Sequence, residues 1–159
     1  MRLVSWTTDF NRIIVFTTTT TTTGGDDSGA YWLVEIAKGR TDPIGYEYPT
    51  VQPTDVGPIR MVDWKAADGL ALHGVLSLPP GRPPKNLPLV VLPHGGPESR
   101  DHPVFDWWAQ AFASRGYAVF QPNFRGSSDY GVSFRDAGFG QCAEGAGSAL
   151  ARFGPPSHR

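Results

Sequence analysis

Residues 87–101 read LPLVVLPHGGPESRD, an apolar run that stops at a histidine, two glycines and a proline. A short continuous apolar run predicts a strand that is buried on both faces of a mainly parallel sheet. Residues 94–96, which we name the His94 corner, are therefore expected at the carboxyl end of that strand. Open α/β sheets bind their ligands at this edge, and glycines there let the backbone approach a substrate closely.

The segment FDWWAQAFASRG, residues 105–116, predicts a helix. Four apolar side chains have the spacing of one helical face: Phe105, Trp108, Ala109 and Phe112. Asp106 is a suitable N-cap and Gly116 a suitable stop. Trp108 is expected in the core and Trp107 at the helix flank, in preference to a surface that stacks on sugars or peptides.

The next segment, YAVFQP at residues 117–122, predicts a second buried strand. It runs into the loop NFRGSSDYG, whose first part, residues 123–128, we name the Asn123 loop. A strand, a helix and a strand in this order form a βαβ unit with parallel strands. The His94 corner and the Asn123 loop are therefore expected side by side on one rim of the sheet.

Upstream, the sequence changes character near residue 58. IRMVDWKAADGLALHGVLSLP, residues 59–79, predicts a hairpin around an Asp-Gly turn. EYPTVQPTDVGP, residues 47–58, is rich in proline and indicates a linker. Before it, NRIIVFTTTTTTT and AYWLVEIAKG predict a further hairpin, whose second strand has apolar residues on both faces, including Trp32 and Ile36. A lone hairpin is not stable in water, so this section needs a partner.

Composition narrows the class of protein. The 159 residues are 40% hydrophobic with a formal net charge of -1, which favours neither nucleic acid nor anionic lipid as a partner. The N-terminus has the pattern of neither a signal peptide nor a membrane span. Cys142, the one cysteine, cannot form an internal disulfide, and this fits a cytoplasmic location. No pattern indicates a cofactor.

Several segments, in order from Val62 to Gln141, resemble the opening of the catalytic domain of the prolyl oligopeptidase family, in its dipeptidyl aminopeptidase and acylaminoacyl-peptidase branch. They are VDWKAADGLALHGVLSLPPG, LPLVVLPHGGPESRD, FDWWAQAFASRGYAVFQPNFRGSSDYG and AGFGQ. The resemblance implies a serine peptidase with an α/β-hydrolase fold that acts on short peptides. It implies three sections: strands like the end of a β-propeller at residues 1–58, the first part of the hydrolase domain at 59–141, and an aberrant or disordered tail at 142–159.

The resemblance also assigns the site. His94 and Gly95 fall in the segment that forms the oxyanion hole, where the family places an aromatic or imidazole side chain beside the attacked carbonyl. Arg125 falls in a rim loop and is expected to be structural. The family nucleophile lies in a Gly-x-Ser-x-Gly elbow, which this sequence lacks, and the acid and base follow it in chain order. We therefore expect a truncated and inactive chain, with a frameshift or a misassembled gene after residue 141.

The remaining motifs give weaker indications of function. GFGQCA, residues 138–143, fits a dinucleotide pattern but lacks the preceding strand and the later acidic residue. His94, Glu98, Asp101 and His102 have an irregular spacing that suits no standard metal site, and Arg100 and Asp101 are expected to pair. Two further functions stay open beside a truncated serine exopeptidase. One is a non-catalytic fragment that binds a partner carrying the nucleophile half; the less favoured one is an esterase of the His-Gly-Gly-Gly lipase type.

Overall fold

A computed structural model describes residues 1–18, 27–96 and 98–140 and contains two four-stranded sheets. The first sheet is antiparallel, with its strands in sequence order: β1 (Arg2–Trp6), β2 (Arg12–Thr17), β3 (Ala30–Glu35) and β4 (Arg40–Tyr46). The second has the order β5-β6-β8-β7, with strands β5 (Ile59–Lys65), β6 (Ala71–Ser77), β7 (Leu89–Val91) and β8 (Ala118–Asn123). Its helices are α1 (Trp107–Ser114) and α2 (Val132–Asp136). Most of the threonine run and the tail from residue 141 lie outside the described residues.

In the first sheet, the predicted hairpin of β2 and β3 is confirmed and gains a strand on each side. Arg12 pairs with Glu35 and Thr17 with Ala30, in antiparallel register. One detail of the prediction is wrong. Ile36 does not continue the strand but begins a short 3-10 helix, Ile36–Lys38, and is largely exposed. The turn at Gly39, whose φ is +58°, then lets the chain enter β4.

The linker between the sheets packs against the second sheet. It forms a 3-10 helix, Pro53–Asp55, and then buries Val56 and Gly57. The N–H of Gly57 donates to Oε1 of Gln110 on α1 at 2.9 Å, and both groups are buried. The linker is therefore anchored to the helix that follows the His94 corner.

The βαβ unit is confirmed, with a correction to its first strand. β7 pairs in parallel with β8, and β8 is buried along its whole length. β7, however, is three residues long and only partly buried, with Leu89 40% exposed. Within the described residues β7 is the edge strand, so no neighbour covers its outer side. The apolar sequence of β7 fits a central strand, but a neighbouring strand on its outer side is not among the described residues.

Helix α1 begins at the predicted cap, because the Asp106 carboxylate accepts from the Ala109 N–H at 2.8 Å. The face that it buries overlaps the predicted one at Ala109 but does not include Trp108 or Phe112. Ala109, Gln110 and Ala113 pack toward the sheet, whereas Trp108 is 49% exposed. Small side chains allow the helix to approach β8 closely, and this turns the large aromatic side chains outward. No helix in the described part of the chain is both long and apolar enough to span a membrane.

Candidate active-site corner

The His94 corner and the Asn123 loop lie together, as the βαβ pattern predicts. The His94 ring is 2.9 Å from the Ser127 hydroxyl, measured between Nε2 and Oγ. It also stacks on the Phe124 ring with 4.5 Å between the ring centroids. The corner that follows β7 is thus tied to the loop that follows β8, across two neighbouring strand ends.

Both nitrogens of the His94 ring have a neighbour, because Nε2 faces the Ser127 hydroxyl and Nδ1 lies 3.3 Å from the Gly95 carbonyl oxygen. The Ser127 side chain is fully buried, and its hydroxyl donates to the carbonyl oxygen of Phe124 at 2.6 Å. With its hydrogen used there, Oγ can only accept from His94, so Nε2 of the imidazole is the donor. The Nε2–H of His94 is therefore committed to Ser127 and serves to hold the corner. The same arrangement leaves Ser127 without the freedom to act as a nucleophile.

The glycines of the corner are open to solvent. A Cβ built on Gly95 or Gly96 meets no atom within 4 Å, and Gly96 has a φ of +57° that favours glycine. Within the described residues, the Gly95 N–H makes no hydrogen bond. An unoccupied backbone N–H beside the end of a parallel strand can donate to an oxygen that gains negative charge. Such donors contribute on the order of 10²–10³ in rate in acyl transfer.

Asp101, which follows the His94 corner in the chain, is hydrogen-bonded to Asn123 of the Asn123 loop. The fully buried Asn123 accepts from the Asp101 N–H at 2.8 Å and donates to the Asp101 carbonyl oxygen at 2.9 Å. The Asp101 carboxyl has a single long contact, 3.4 Å from the Gln121 amide, and its Oδ2 is buried without a partner in the described residues. Burial raises the pKa of the Asp101 carboxyl above its usual range, with a smaller contribution from Asp106.

The predicted pairing of Arg100 with Asp101 is wrong. The Arg100 guanidinium lies over the Tyr130 ring, 4.6 Å from its centroid, and its nearest carboxylate is that of Asp129 at 3.9 Å. The Asp101 carboxyl instead faces the Gln121 amide, so the two neighbouring side chains have different partners. The positive charge of Arg100 therefore faces the loop after β8.

Substituting Asp101 by asparagine should stabilise the fold near neutral pH. A carboxyl whose pKa is raised by folding favours the folded state fully below its ordinary value of 3.8, and this benefit is lost as the pH rises through the raised pKa. The Asp101→Asn chain should therefore have a higher urea midpoint than the unaltered chain at pH 7, and the difference should shrink at pH 3. A midpoint difference that is the same at both pH values would contradict this assignment.

The structure also places Arg125, which is expected to be structural. Arg125, whose side chain is mostly buried, has its Nη2 2.7 Å from the Asp68 carboxylate at the tip of the β5–β6 hairpin, a structural contact. In the described residues no group of three or more His, Cys, Asp or Glu side chains could hold a metal ion. Half of the dinucleotide-like segment 138–143 lies outside them. Ser127 and the role of Asn123 were not predicted from the sequence, although Asn123 directly follows the predicted strand at residues 117–122, where rim residues belong.

Comparison with known proteins shows which proteins this chain resembles. A sequence profile described as the prolyl oligopeptidase family matches residues 103–145. Dipeptidyl aminopeptidase BIII of Pseudoxanthomonas mexicana is 36% identical over 102 residues, which cover 60% of this chain and 15% of the relative. The human acylamino-acid-releasing enzyme is 38% identical over 65 residues, 40% of this chain and 9% of that protein.

Solved structures agree with the sequence relatives. The crystal structure of a puromycin hydrolase superposes with a TM-score of 0.67 and 27% identity, and covers 92% of this chain but only 23% of that protein. A puromycin-hydrolyzing peptidase of Mycobacterium tuberculosis gives a TM-score of 0.64 at 23% identity, a likeness of fold. The chain thus spans less than a quarter of the length of these proteins. Residues 103–145 of the chain are thus similar in sequence to the prolyl oligopeptidase family.

Proposed function

We propose that residues 59–140 form the oxyanion side of a serine-type peptidase site that acts on short peptides. The observation that carries this proposal is the His94 corner, held by Ser127 with the Gly95 N–H left open. His94 positions the corner, and Gly95 supplies a hydrogen bond to the carbonyl oxygen of the scissile peptide. The substrate class comes from the relatives, which are named as dipeptidyl and acylamino-acid peptidases.

The chain by itself is proposed to be inactive. Its 159 residues contain no Gly-x-Ser-x-Gly segment, and Ser127, the serine nearest to His94, is buried and already hydrogen-bonded. Loss of the nucleophile alone costs about 10⁶ in turnover in a serine hydrolase. The second oxyanion donor, the N–H that follows the nucleophile, would be lost with it.

The exposed side of the second sheet supports a site shared with further residues. The outer edge of β7 is unpaired within the described residues and carries the exposed Leu89, and the side chains of Trp107, Trp108 and Phe112 on α1 are exposed as well. An unpaired strand edge beside apolar side chains is a surface that proteins normally cover. The same observation supports the second candidate, a non-catalytic segment completed by a partner that carries the nucleophile.

The first sheet supports a propeller origin for residues 1–58. Its four antiparallel strands in sequence order have the form of a propeller blade. Apolar side chains lie on both of its faces, with Ile14 and Leu33 on one and Val15 and Trp32 on the other. If this sheet were a blade between two other blades, its neighbours would cover both of its faces. A cytoplasmic location and the assignment of residues 142–159 as an aberrant tail stay predictions.

Hydrolysis of chromogenic aminoacyl and acylaminoacyl anilides tests the proposal of inactivity. The purified chain should release no chromophore above the uncatalysed background. It should also form no covalent adduct with a serine-directed fluorophosphonate, as read by intact mass. Turnover that such an inhibitor abolishes would show that the chain holds a working nucleophile and would overturn this part of the proposal.

A further inference from the structure

The side chain of Asn123 bonds to the main chain of Asp101 in the way that a neighbouring strand would. Its Oδ1 accepts the Asp101 N–H at 2.8 Å, and its Nδ2 donates to the carbonyl oxygen of the same residue at 2.9 Å. The second hydrogen of Nδ2 goes to the Tyr130 hydroxyl at 3.1 Å. Asn123 is fully buried, so each of these bonds replaces a contact with water that is no longer possible.

A primary amide is well suited to this pair of contacts. It places one acceptor and one donor on the same planar group, and the N–H and C=O of a single residue require both at once. An aspartate at this position would offer two acceptors and leave the Asp101 carbonyl oxygen without a donor. The chemistry of residue 123 therefore matches the backbone of residue 101, and not its carboxyl group.

Asn123 acts with two further contacts between the same loops. The Ser128 N–H donates to the Ser99 carbonyl oxygen at 3.0 Å, and His94 donates to Ser127. His94, Ser99 and Asp101 are thus each held by residues 123–128. Those residues are themselves anchored, because the Gly126 N–H donates to the Phe134 carbonyl oxygen on α2 at 3.0 Å.

We propose that Asn123 is a positioning residue for the oxyanion corner. By standing in for a strand neighbour of Asp101, it fixes the backbone of Asp101 against the Asn123 loop and so helps to set where the N–H of Gly95 points. This inference rests on the proposed function of the corner as an oxyanion donor. It adds a residue that touches neither substrate nor reacting atoms, and which acts through the backbone of another.

The test compares Asn123→Ala with Gln121→Ala in the full 159-residue chain. Both changes remove a buried primary amide from the same face of β8, two residues apart, but Gln121 reaches only the carboxyl of Asp101. Amide hydrogen exchange at Asp101 should become about 10- to 100-fold faster in Asn123→Ala, because its N–H loses its buried acceptor. It should stay unchanged in Gln121→Ala.

The readout of positioning is the amide ¹⁵N–¹H resonances of Gly95 and Gly96. They should shift or broaden in Asn123→Ala and keep their places in Gln121→Ala, even where both variants lose equal stability. Unchanged Asp101 exchange in Asn123→Ala would overturn the proposal, as would faster exchange with unmoved glycine resonances.

If Asn123→Ala does not fold, the unaltered chain still decides the matter. The Asp101 amide should then exchange as slowly as the amides of β8; exchange at the rate of an exposed loop would overturn the inference. None of these measurements depends on turnover. The positioning role of Asn123 can therefore be refuted while the peptidase proposal stands. The peptidase proposal can likewise be refuted while that role stands.

Discussion

Replacing Gly57 by alanine is expected to lower the free energy of unfolding by about 3 kcal/mol or more. A Cβ at this position would overlap the carbonyl oxygen of Leu78, which is backbone and cannot turn aside. The Gly57 N–H is also held by Gln110 at 2.9 Å in a buried position. Any shift of the linker that relieves the overlap would break that bond, so the two costs add.

The matched control for Gly57 is Gly45→Ala in β4. A Cβ on Gly45 meets nothing within 4 Å, and its φ lies outside the positive range that disfavours other residues. Alanine there should leave the free energy of unfolding unchanged or raise it by a few tenths of a kcal/mol. The reason is that glycine in a strand loses more conformational entropy on folding than alanine does. Urea unfolding followed by circular dichroism measures both variants. Equal midpoints for the two would contradict the packing described for the linker.

Removing the Gly95 N–H is expected to lower peptide hydrolysis by about 10²–10³-fold, once the rest of a catalytic domain is supplied. The setting for this experiment is a chimera in which residues 59–140 replace the corresponding segment of the Pseudoxanthomonas dipeptidyl aminopeptidase. Proline at position 95 has no N–H to donate, so the oxyanion loses that hydrogen bond in the transition state. The loss should fall on kcat, with KM nearly unchanged.

Gly95→Ala is the control for that variant. It keeps the N–H and adds a methyl group into open space. It should retain activity within a few-fold, and circular dichroism should show that both chimeras are folded. If alanine and proline reduce kcat equally, the effect does not come from the N–H, and the assignment of Gly95 as a donor is wrong.

Local sequence patterns predicted the elements that depend on short-range chemistry. The Asp-Gly turn of the β5–β6 hairpin, the Asp106 cap of α1 and the burial of β8 are all confirmed. The proximity of the His94 corner and the Asn123 loop followed from topology, because parallel neighbouring strands end at the same edge. These features need no knowledge of distant parts of the chain.

The orientation of α1 could not be predicted in the same way. Apolar spacing predicted a face with Trp108, Ala109 and Phe112, but of these three only Ala109 is buried, and Ala113 lies beside it in the contact. A helical wheel ranks side chains by hydrophobicity, whereas packing against a flat sheet selects small ones that let the backbones approach. Which face wins also depends on what else covers the helix, and that lies outside a local window.

The contacts that hold the corner were also beyond the sequence. Asn123 binds Asp101 across 22 positions and His94 binds Ser127 across 33. No spacing rule links residues so far apart, since the contacts arise from two loops that meet only after the sheet has formed. A search limited to residues that directly follow predicted strands would have included Asn123, without showing what it bonds.

The most direct test of the account is the rate at which the chimera with unaltered residues 59–140 hydrolyses dipeptidyl anilides. If this segment supplies a working oxyanion corner, the folded chimera hydrolyses the substrate, and a fluorophosphonate inhibitor abolishes that activity. A chimera that folds, reacts with the fluorophosphonate and yet turns over no substrate would contradict the claim that the His94 corner stabilises the carbonyl under attack.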